Sequence, residues 1–414
     1  MIRRVAYLSM HTTPLAQPGI GDAGGMNVYI DRLARTMAAR GIEVEVFTRR
    51  TDPAQPEDVV VAERYKVVHI TAGPEEPLPA GALADGVQEF ALGVAKWAGA
   101  NRADYDVVHS HYWLSGWAGV IVKQQLGIGL AHSFHTLGRI KDANRARSQA
   151  PESLLRIATE QEVIEFADCV IASTPFEFED LVGHYGTKPE SICISPPGVD
   201  HKMFRPGSRA ESRDKLGIEF GPLLLFVGRI QPLKGVDVAI ETLAEVRREH
   251  PLARLVIVGG PSGSDGEAEI VHLRQLAMQR GLENAVVFRP PETHEVLADF
   301  YRACDVLLVP SRSESFGLVA VEAQASGLPV VAADVGGLAY AVSDGQSGFL
   351  IDDFDPRRWA TAVNSIVGDS GLADRFSEGA VRHSERFSWE ATADRLLELY
   401  SGIGPTSSGL GVTS

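Results

Sequence analysis

Cysteine is scarce. The chain has three in 414 residues, Cys169, Cys193 and Cys304, widely separated and embedded in apolar runs. An odd number without C-x-x-C spacing excludes a disulfide framework and a thiolate zinc site. They read as buried, reduced thiols of a cytoplasmic protein. Long hydrophobic runs are missing too. Val5–Met10 is shorter than the apolar core of a signal peptide, and nothing approaches the roughly 20 apolar residues of a membrane span. Positive charge is in deficit. With 39 Lys and Arg against 54 Asp and Glu, the net charge is −15, the wrong sign for general binding to nucleic acid or an anionic membrane. A small anionic ligand remains open, because one pocket can be locally basic. No Walker lysine, Ser-His-Asp set or Cys-His pair stands out either.

What the chain has in quantity is alternation. An apolar content of 44% and a charged content of 22% are those of a globular protein. The length suits roughly two to three domains. Arg4–Met10 is a strand-like run. After a glycine-rich loop, Ile30, Leu33, Ala34, Met37 and Ala38 recur with helical period, and Gly41 closes that helix before the strand Val44–Thr48. Strand-like segments return at 106–111, 129–135 and 168–174. Proline, glycine and charge from Pro196 to Gly207 mark a linker, and the alternation restarts at 223–228, 254–259, 286–288, 306–309 and 330–333. This pattern predicts an α/β protein of two doubly wound, Rossmann-like domains, residues 1–200 and 201–385, facing a cleft. A last helix within 386–403 is expected to pack back on the first domain. The glycine- and serine-rich 404–414 is expected to be a disordered tail.

Three stretches at those strand ends can carry chemistry. Pro310-Ser-Arg-Ser-Glu314-Ser-Phe-Gly317-Leu-Val-Ala-Val-Glu322 sets two carboxylates on either side of a strand-to-helix turn. Helix N-termini offer free N–H groups, so the pair could flank a phosphorylated ligand; it could equally be two solvated surface carboxylates. Gly228-Arg229-Ile-Gln-Pro-Leu-Lys234 places two cations after the first strand of the second half, where they could neutralise a diphosphate. Gly19-Ile-Gly-Asp-Ala-Gly24-Gly25-Met-Asn27 lies before the first helix, out of the dinucleotide register, and permits close approach of a phosphate or simply a tight turn. Four histidines, His109, His111, His132 and His135, end two strands. No nearby carboxylate or cysteine completes a zinc set, so burial or hydrogen bonding to a hydroxylated ligand is the better reading.

The Glu314–Glu322 string resembles the E-x7-E motif of retaining glycosyltransferases of the GT-B fold, and Gly228–Lys234 resembles their donor-phosphate motif. Ser9–Tyr29 and His109–Gly116 are similar to the family 4 branch that glycosylates D-inositol 3-phosphate in the mycothiol pathway, which overlaps the sucrose-phosphate synthases. The resemblance spans about residues 3 to 400. It implies transfer of a sugar from a nucleotide-diphosphate donor, with UDP-N-acetylglucosamine as precedent, no metal or other cofactor, and a homodimer. Gly25, Arg229, Lys234, Phe316, Gly317, Leu318, Val319 and Glu322 would bind the donor, Glu322 at its ribose. Glu314 and His135 would lie by the transferred sugar, with Arg229 and Lys234 sharing the catalytic role. His11, Asp22 and Asn27 would contact a cyclitol acceptor, and Tyr112, Thr136 and Arg156 its phosphate.

One position departs from the family. Where relatives carry a phosphate-binding lysine, this chain has Ala80, after Glu75 and Glu76. A lost charge-assisted contact costs roughly 1.5–3 kcal/mol. Either Arg156 and Lys141 compensate, or the acceptor is a non-phosphorylated aminocyclitol or thiol, with a UDP- or GDP-sugar donor. A nucleotide-sugar epimerase and a silent sugar-nucleotide-binding protein are the more distant readings.

Overall fold

Two sheets organise the computed structural model, which describes residues 2–144, 151–218, 221–262 and 266–403. The tail expected at 404–414 lies outside the described residues. The first sheet contains β1 (Arg4–Leu8), β2 (Glu43–Arg49), β3 (Asp58–Ala62), β4 (Tyr65–Ile70), β5 (Val107–His111), β6 (Gly129–Ser133), β7 (Cys169–Ala172) and β8 (Ile192–Ile194). Their order is β3-β4-β2-β1-β5-β6-β7-β8, and among the described residues only β3 and β4 pair antiparallel. The second contains β9 (Leu223–Val227), β10 (Arg254–Val258), β11 (Val286–Arg289), β12 (Val306–Val309), β13 (Val330–Ala333) and β14 (Gly348–Ile351), ordered β11-β10-β9-β12-β13-β14 and parallel throughout.

The strand order sets the place of the site. In the first sheet β1 lies between β2 and β5, and in the second β9 lies between β10 and β12. The chain winds outwards in opposite directions from these two points, which leaves a crevice beyond the strand ends. The glycine loop before helix Gly25–Ala39 leaves β1, and the loops with Arg229 and Glu314 leave β9 and β12. Strands at the centre are apolar on both faces, as Leu-Leu-Leu-Phe-Val in β9 and Val-Leu-Leu-Val in β12 show, because helices cover both sides.

Helix Trp389–Gly402 crosses from the second domain to the first. Trp389, Ala393, Leu396 and Tyr400 share a core cluster with Val5, Tyr7, Ile30 and Leu33. Gly198 permits the crossing, since a Cβ there would stand 2.1 Å from the Trp389 nitrogen. The cysteines need one correction. Cys169 and Cys193 are distant in sequence, but β7 and β8 pair and make them neighbours. Contact with Cys169 lowers the Cys193 thiol from its ordinary value, while that of Cys169 is raised; both are free thiols, and Cys193 is half-buried where the sequence suggested burial.

Candidate active site

A cavity of about 730 Å³ opens between the two sheets beyond their carboxyl ends. Its second-domain wall is rigid for local reasons. Pro232–Lys234 makes one 3-10 turn, ended by Gly235 at φ +70°, where a Cβ would stand 2.0 Å from the Pro310 carbonyl oxygen. Only glycine lets this loop press against the end of β12. Arg312 clamps it further, donating to the Pro232 carbonyl at 2.6 Å and to both Asp237 carboxylate oxygens. So held, Lys234 Nζ donates to Glu314 Oε2 at 2.5 Å. Arg229 Nη1 donates to Ser262 Oγ at 3.2 Å.

The Glu314 loop is packed just as closely. The Gly337 N–H donates to the Glu314 carbonyl at 2.8 Å, and a Cβ on Gly337 would stand 2.1 Å from the Ser315 oxygen. Gly317, at φ +100°, turns the chain into helix Leu318–Ala325. The first N–H groups of that helix have no acceptor inside it, and Leu318 and Val319 line the cavity with Phe316 and Gly317. Backbone donors and the helix dipole favour an anion there.

Glu322, which could have been an exposed helix carboxylate, is instead 5% exposed at the cavity wall. Its Oε2 accepts from the Tyr301 hydroxyl at 2.9 Å, and burial pushes its carboxyl up to about 7. Tyr301 has no sequence signal that links it to Glu322.

On the first-domain wall, β6 ends at Ser133, two residues before His135, which adopts φ +60°. Tyr112, after β5, sits at φ +75°. Backbone held in this region by a non-glycine residue stores strain and clusters at functional sites. His135 Nε2 shares a hydrogen bond of 3.0 Å with His111 Nδ1, and its carbonyl accepts from Ser315 Oγ at 2.5 Å, which joins the two walls. Burial lowers the His11 and His135 imidazoles to about 3, so both are neutral near pH 7. His11 stacks on Tyr112 with centroids 4.3 Å apart. Among the other histidines, His109 bonds Tyr400 and Ser133, and His132 bonds Ser110. Among the described residues no three His, Cys, Asp or Glu groups are gathered around a common point for a metal.

The sequence-derived candidates divide accordingly. His11, Asp22, Gly25, Tyr112, His135 and Thr136 line one side of the cavity; Arg229, Lys234, Glu314 and Glu322 line the other. Asn27 and Arg156 are not in the lining. Asn27 is buried under the glycine loop, accepting from the Gly24 N–H and donating to Thr12 Oγ1 and the Thr13 carbonyl. It braces the loop. Arg156 stands behind Tyr112 and Thr136, its donors engaged by Glu160, Glu152 and both Thr136 oxygens. Gly24 and Gly25 lie against the second domain: a Cβ would come 3.2 Å from Arg229 Nε at Gly24, and 3.3 Å from Leu318 Cδ1 at Gly25.

Two facing Rossmann-like sheets with a lined cleft between them define the GT-B class of glycosyltransferases. Within it, the chain belongs to glycosyltransferase family 4: residues 23–202 match Glycosyltransferase Family 4, and residues 208–383 match Glycosyl transferases group 1. It is 47% identical to the D-inositol 3-phosphate glycosyltransferase of Acidothermus cellulolyticus, over 96% of this chain and 90% of that protein. It is 48% identical to the D-inositol 3-phosphate glycosyltransferase 2 of Catenulispora acidiphila, over 96% and 95%. Among solved structures, sucrose-phosphate synthase from Thermosynechococcus elongatus superposes with a TM-score of 0.89 at 33% identity, over 97% and 98% of the two chains. Anabaena HepE, solved with UDP and glucose, shares the fold at 20% identity and a TM-score of 0.78, over 97% and 100%. The protein is a glycosyltransferase.

Proposed function

We propose that this enzyme transfers N-acetylglucosamine from UDP-N-acetylglucosamine to an inositol phosphate, with retention at the anomeric carbon. The observation that carries the reading is the placement of Arg229, Lys234 and the N-terminus of helix Leu318–Ala325 on one cavity wall, with Gly24 and Gly25 opposite. That set suits a diphosphate that must gain charge as it leaves. Glu322 holds the ribose hydroxyls, and Glu314 lies beside the transferred sugar. His135 donates to a sugar hydroxyl. The names of the relatives support the acceptor, and the HepE complex supports a UDP-linked donor.

In this reading the acceptor hydroxyl attacks the face from which the diphosphate departs. The glycosidic bond to the leaving oxygen breaks, the bond to the acceptor oxygen forms, and the departing phosphate takes the acceptor proton. No enzyme nucleophile is needed. Arg229 and Lys234 supply the positive charge that a metal gives elsewhere, so catalysis is metal-independent. A homodimer of cytoplasmic location completes the proposal; no helix among the described residues is long and apolar enough to cross a membrane.

A second reading has a specific observation behind it. Ala80 lines the cavity, as do Asp22, Glu177, Glu179 and Asp180, which favours an amino-bearing, non-phosphorylated acceptor. A matrix of UDP- and GDP-sugars against inositol phosphate, free inositol, aminocyclitols and small thiols, read by mass spectrometry, separates the two. Anomeric coupling constants of the product test retention. Turnover confined to non-phosphorylated acceptors would discard the first reading.

A further inference from the structure

An arginine of the first domain fixes the proton on a histidine of the opposite cavity wall. Arg32, on helix Gly25–Ala39, donates from Nη2 to His294 Nδ1 at 3.3 Å and from Nη1 to Asp200 Oδ2 at 3.2 Å. Arginine has donors only, so His294 Nδ1 accepts. Burial, and after it the Arg32 charge, lowers the His294 imidazole from its ordinary value, against the opposing pull of Glu295, Asp31 and Asp200, so the ring is neutral near pH 7. A neutral imidazole that accepts at Nδ1 carries its one proton on Nε2. That Nε2–H has no acceptor among the described residues, and His294 lines the cavity.

The place of this donor follows from its helix. His294, Leu297 and Tyr301 stand at i, i+3 and i+7 of helix His294–Ala303, which puts them on one face. The buried ring of Phe204 packs against both ends of that row, with centroids 5.8 Å from His294 and 5.7 Å from Tyr301. Tyr301 bonds Glu322, and Leu297, one turn nearer the N-terminus, lines the cavity. Seven residues of helix carry the row about 10 Å from Tyr301 to His294. Arg32 acts at both ends: burial raises the Glu322 carboxyl, and the Tyr301 bond and the Arg32 charge oppose that rise.

We propose that His294 reads the base of the donor nucleotide through its Nε2–H, and that Arg32 is the positioning residue that keeps the proton there. The inference rests on the nucleotide-sugar reading above and deepens it. With the ribose at Glu322, the base runs along the helix face over Leu297 and turns its far edge to His294. Uracil and guanine carry a carbonyl oxygen on that edge; cytosine and adenine carry an amino group. A fixed N–H donor is satisfied by the first pair and faces another donor in the second, which leaves both groups unpaired. The site therefore selects nucleoside diphosphates with a keto base. The selection is shared between the domains, because the histidine comes from one and the arginine that sets its tautomer from the other.

Titration calorimetry with UDP and CDP, which share ring size and charge, tests this on the whole enzyme without an acceptor. The unaltered protein should bind UDP roughly ten- to hundredfold tighter than CDP, the scale of a hydrogen bond exchanged for two facing donors. His294→Phe should bring the two affinities to within about threefold of each other, and Arg32→Met should cut the ratio about fivefold or more by freeing the proton to move to Nδ1. In the His294→Phe background, Arg32→Met should change the ratio no further. Arg32→Lys, which also offers donors only, should keep most of it. Each ratio is read on one preparation, so a smaller folded fraction does not move it. Equal affinity for UDP and CDP in the unaltered enzyme, or an unchanged ratio in His294→Phe, overturns the base-reading role. A ratio that falls in His294→Phe and not in Arg32→Met overturns the role of Arg32. Binding of neither nucleotide overturns the UDP-donor reading itself.

Discussion

Lys234 and Glu314, on loops that leave β9 and β12, form an ion pair of 2.5 Å in the cavity wall. Their side chains are 20% and 19% exposed, so solvent screens the pair less than a surface salt bridge. In the proposed reaction each holds the other next to the diphosphate and the transferred sugar. Lys234→Ala should lower kcat by roughly 10²–10³-fold, the scale of one lost electrostatic stabiliser. Glu314→Gln should also lower it. Because the two residues act through one contact, the double variant should lose much less than the product of the single losses. Steady-state kinetics on the three variants decide the matter; full activity in Lys234→Ala would remove the donor-phosphate assignment.

Glu322 makes the donor site pH-sensitive. Burial raises its carboxyl from the ordinary 4.5 to about 7, against the lowering bond from Tyr301. A group with a raised folded-state pKa binds more protons folded than unfolded between those values. Its stabilising share is therefore present below about 4.5 and is lost as pH rises through 7, where the buried charge costs on the order of 3 kcal/mol. Glu322→Gln should raise the melting temperature at pH 8 and leave it nearly unchanged at pH 4.5. Donor recognition runs the other way, because the carboxylate is the better acceptor for ribose hydroxyls. The donor KM should rise as pH falls from 8 to 6, and the glutamine variant should lose that dependence. Parallel pH profiles for enzyme and variant would refute the ribose role.

The parts that could be read from sequence were those whose physics is local. Central parallel strands are buried on both faces, so Leu223–Val227 and Val306–Val309 announce themselves as apolar runs. The hairpin of β3 and β4 does not. Val60 in β3 is 73% exposed, and the turn uses Arg64 at φ +65° rather than glycine or asparagine. β14 begins on Gly348 and β8 is three residues long, so neither carries a strand pattern. In the site, the cations and the two glutamates lie in short strings next to turns and were visible. The bonds that give them their properties join distant residues: Tyr301 to Glu322, Ser315 to the His135 carbonyl, Glu152 to Lys141. Asn27 lies in a ligand-like string, and the string alone does not show that its amide bonds the Gly24 N–H and the Thr13 carbonyl of the same loop.

Metal independence has a direct test. The charge that develops on the leaving diphosphate is matched in this proposal by Arg229, Lys234 and the backbone donors at Leu318 and Val319. Turnover should be unaffected by millimolar chelator, and added magnesium or manganese should not raise kcat by more than about twofold. Loss of turnover with chelator and recovery with a divalent cation would reassign that electrostatic role to a metal.

The crossing helix offers a prediction about stability that is independent of substrate. Tyr400 is 1% exposed, and its hydroxyl shares a hydrogen bond of 2.6 Å with His109 Nδ1 in the first-domain sheet. Burial keeps the tyrosine protonated and the imidazole neutral, so the bond persists across the working pH range. His109 Nε2 is already committed to Ser133, so Tyr400→Phe would leave Nδ1 buried without a partner. Such a group costs about 1–3 kcal/mol. For a domain of 150–250 residues that corresponds to a fall in melting temperature of roughly 2–12 °C. His109 also stacks on His111 with centroids 4.1 Å apart, and His111 bonds His135, so the loosened helix should reach the cavity as a modest loss in kcat. Calorimetry of Tyr400→Phe and His109→Phe, singly and together, should show strong non-additivity, because either change removes the same bond. Additive destabilisation would mean that the helix is anchored by its apolar face alone, through Trp389, Ala393 and Leu396.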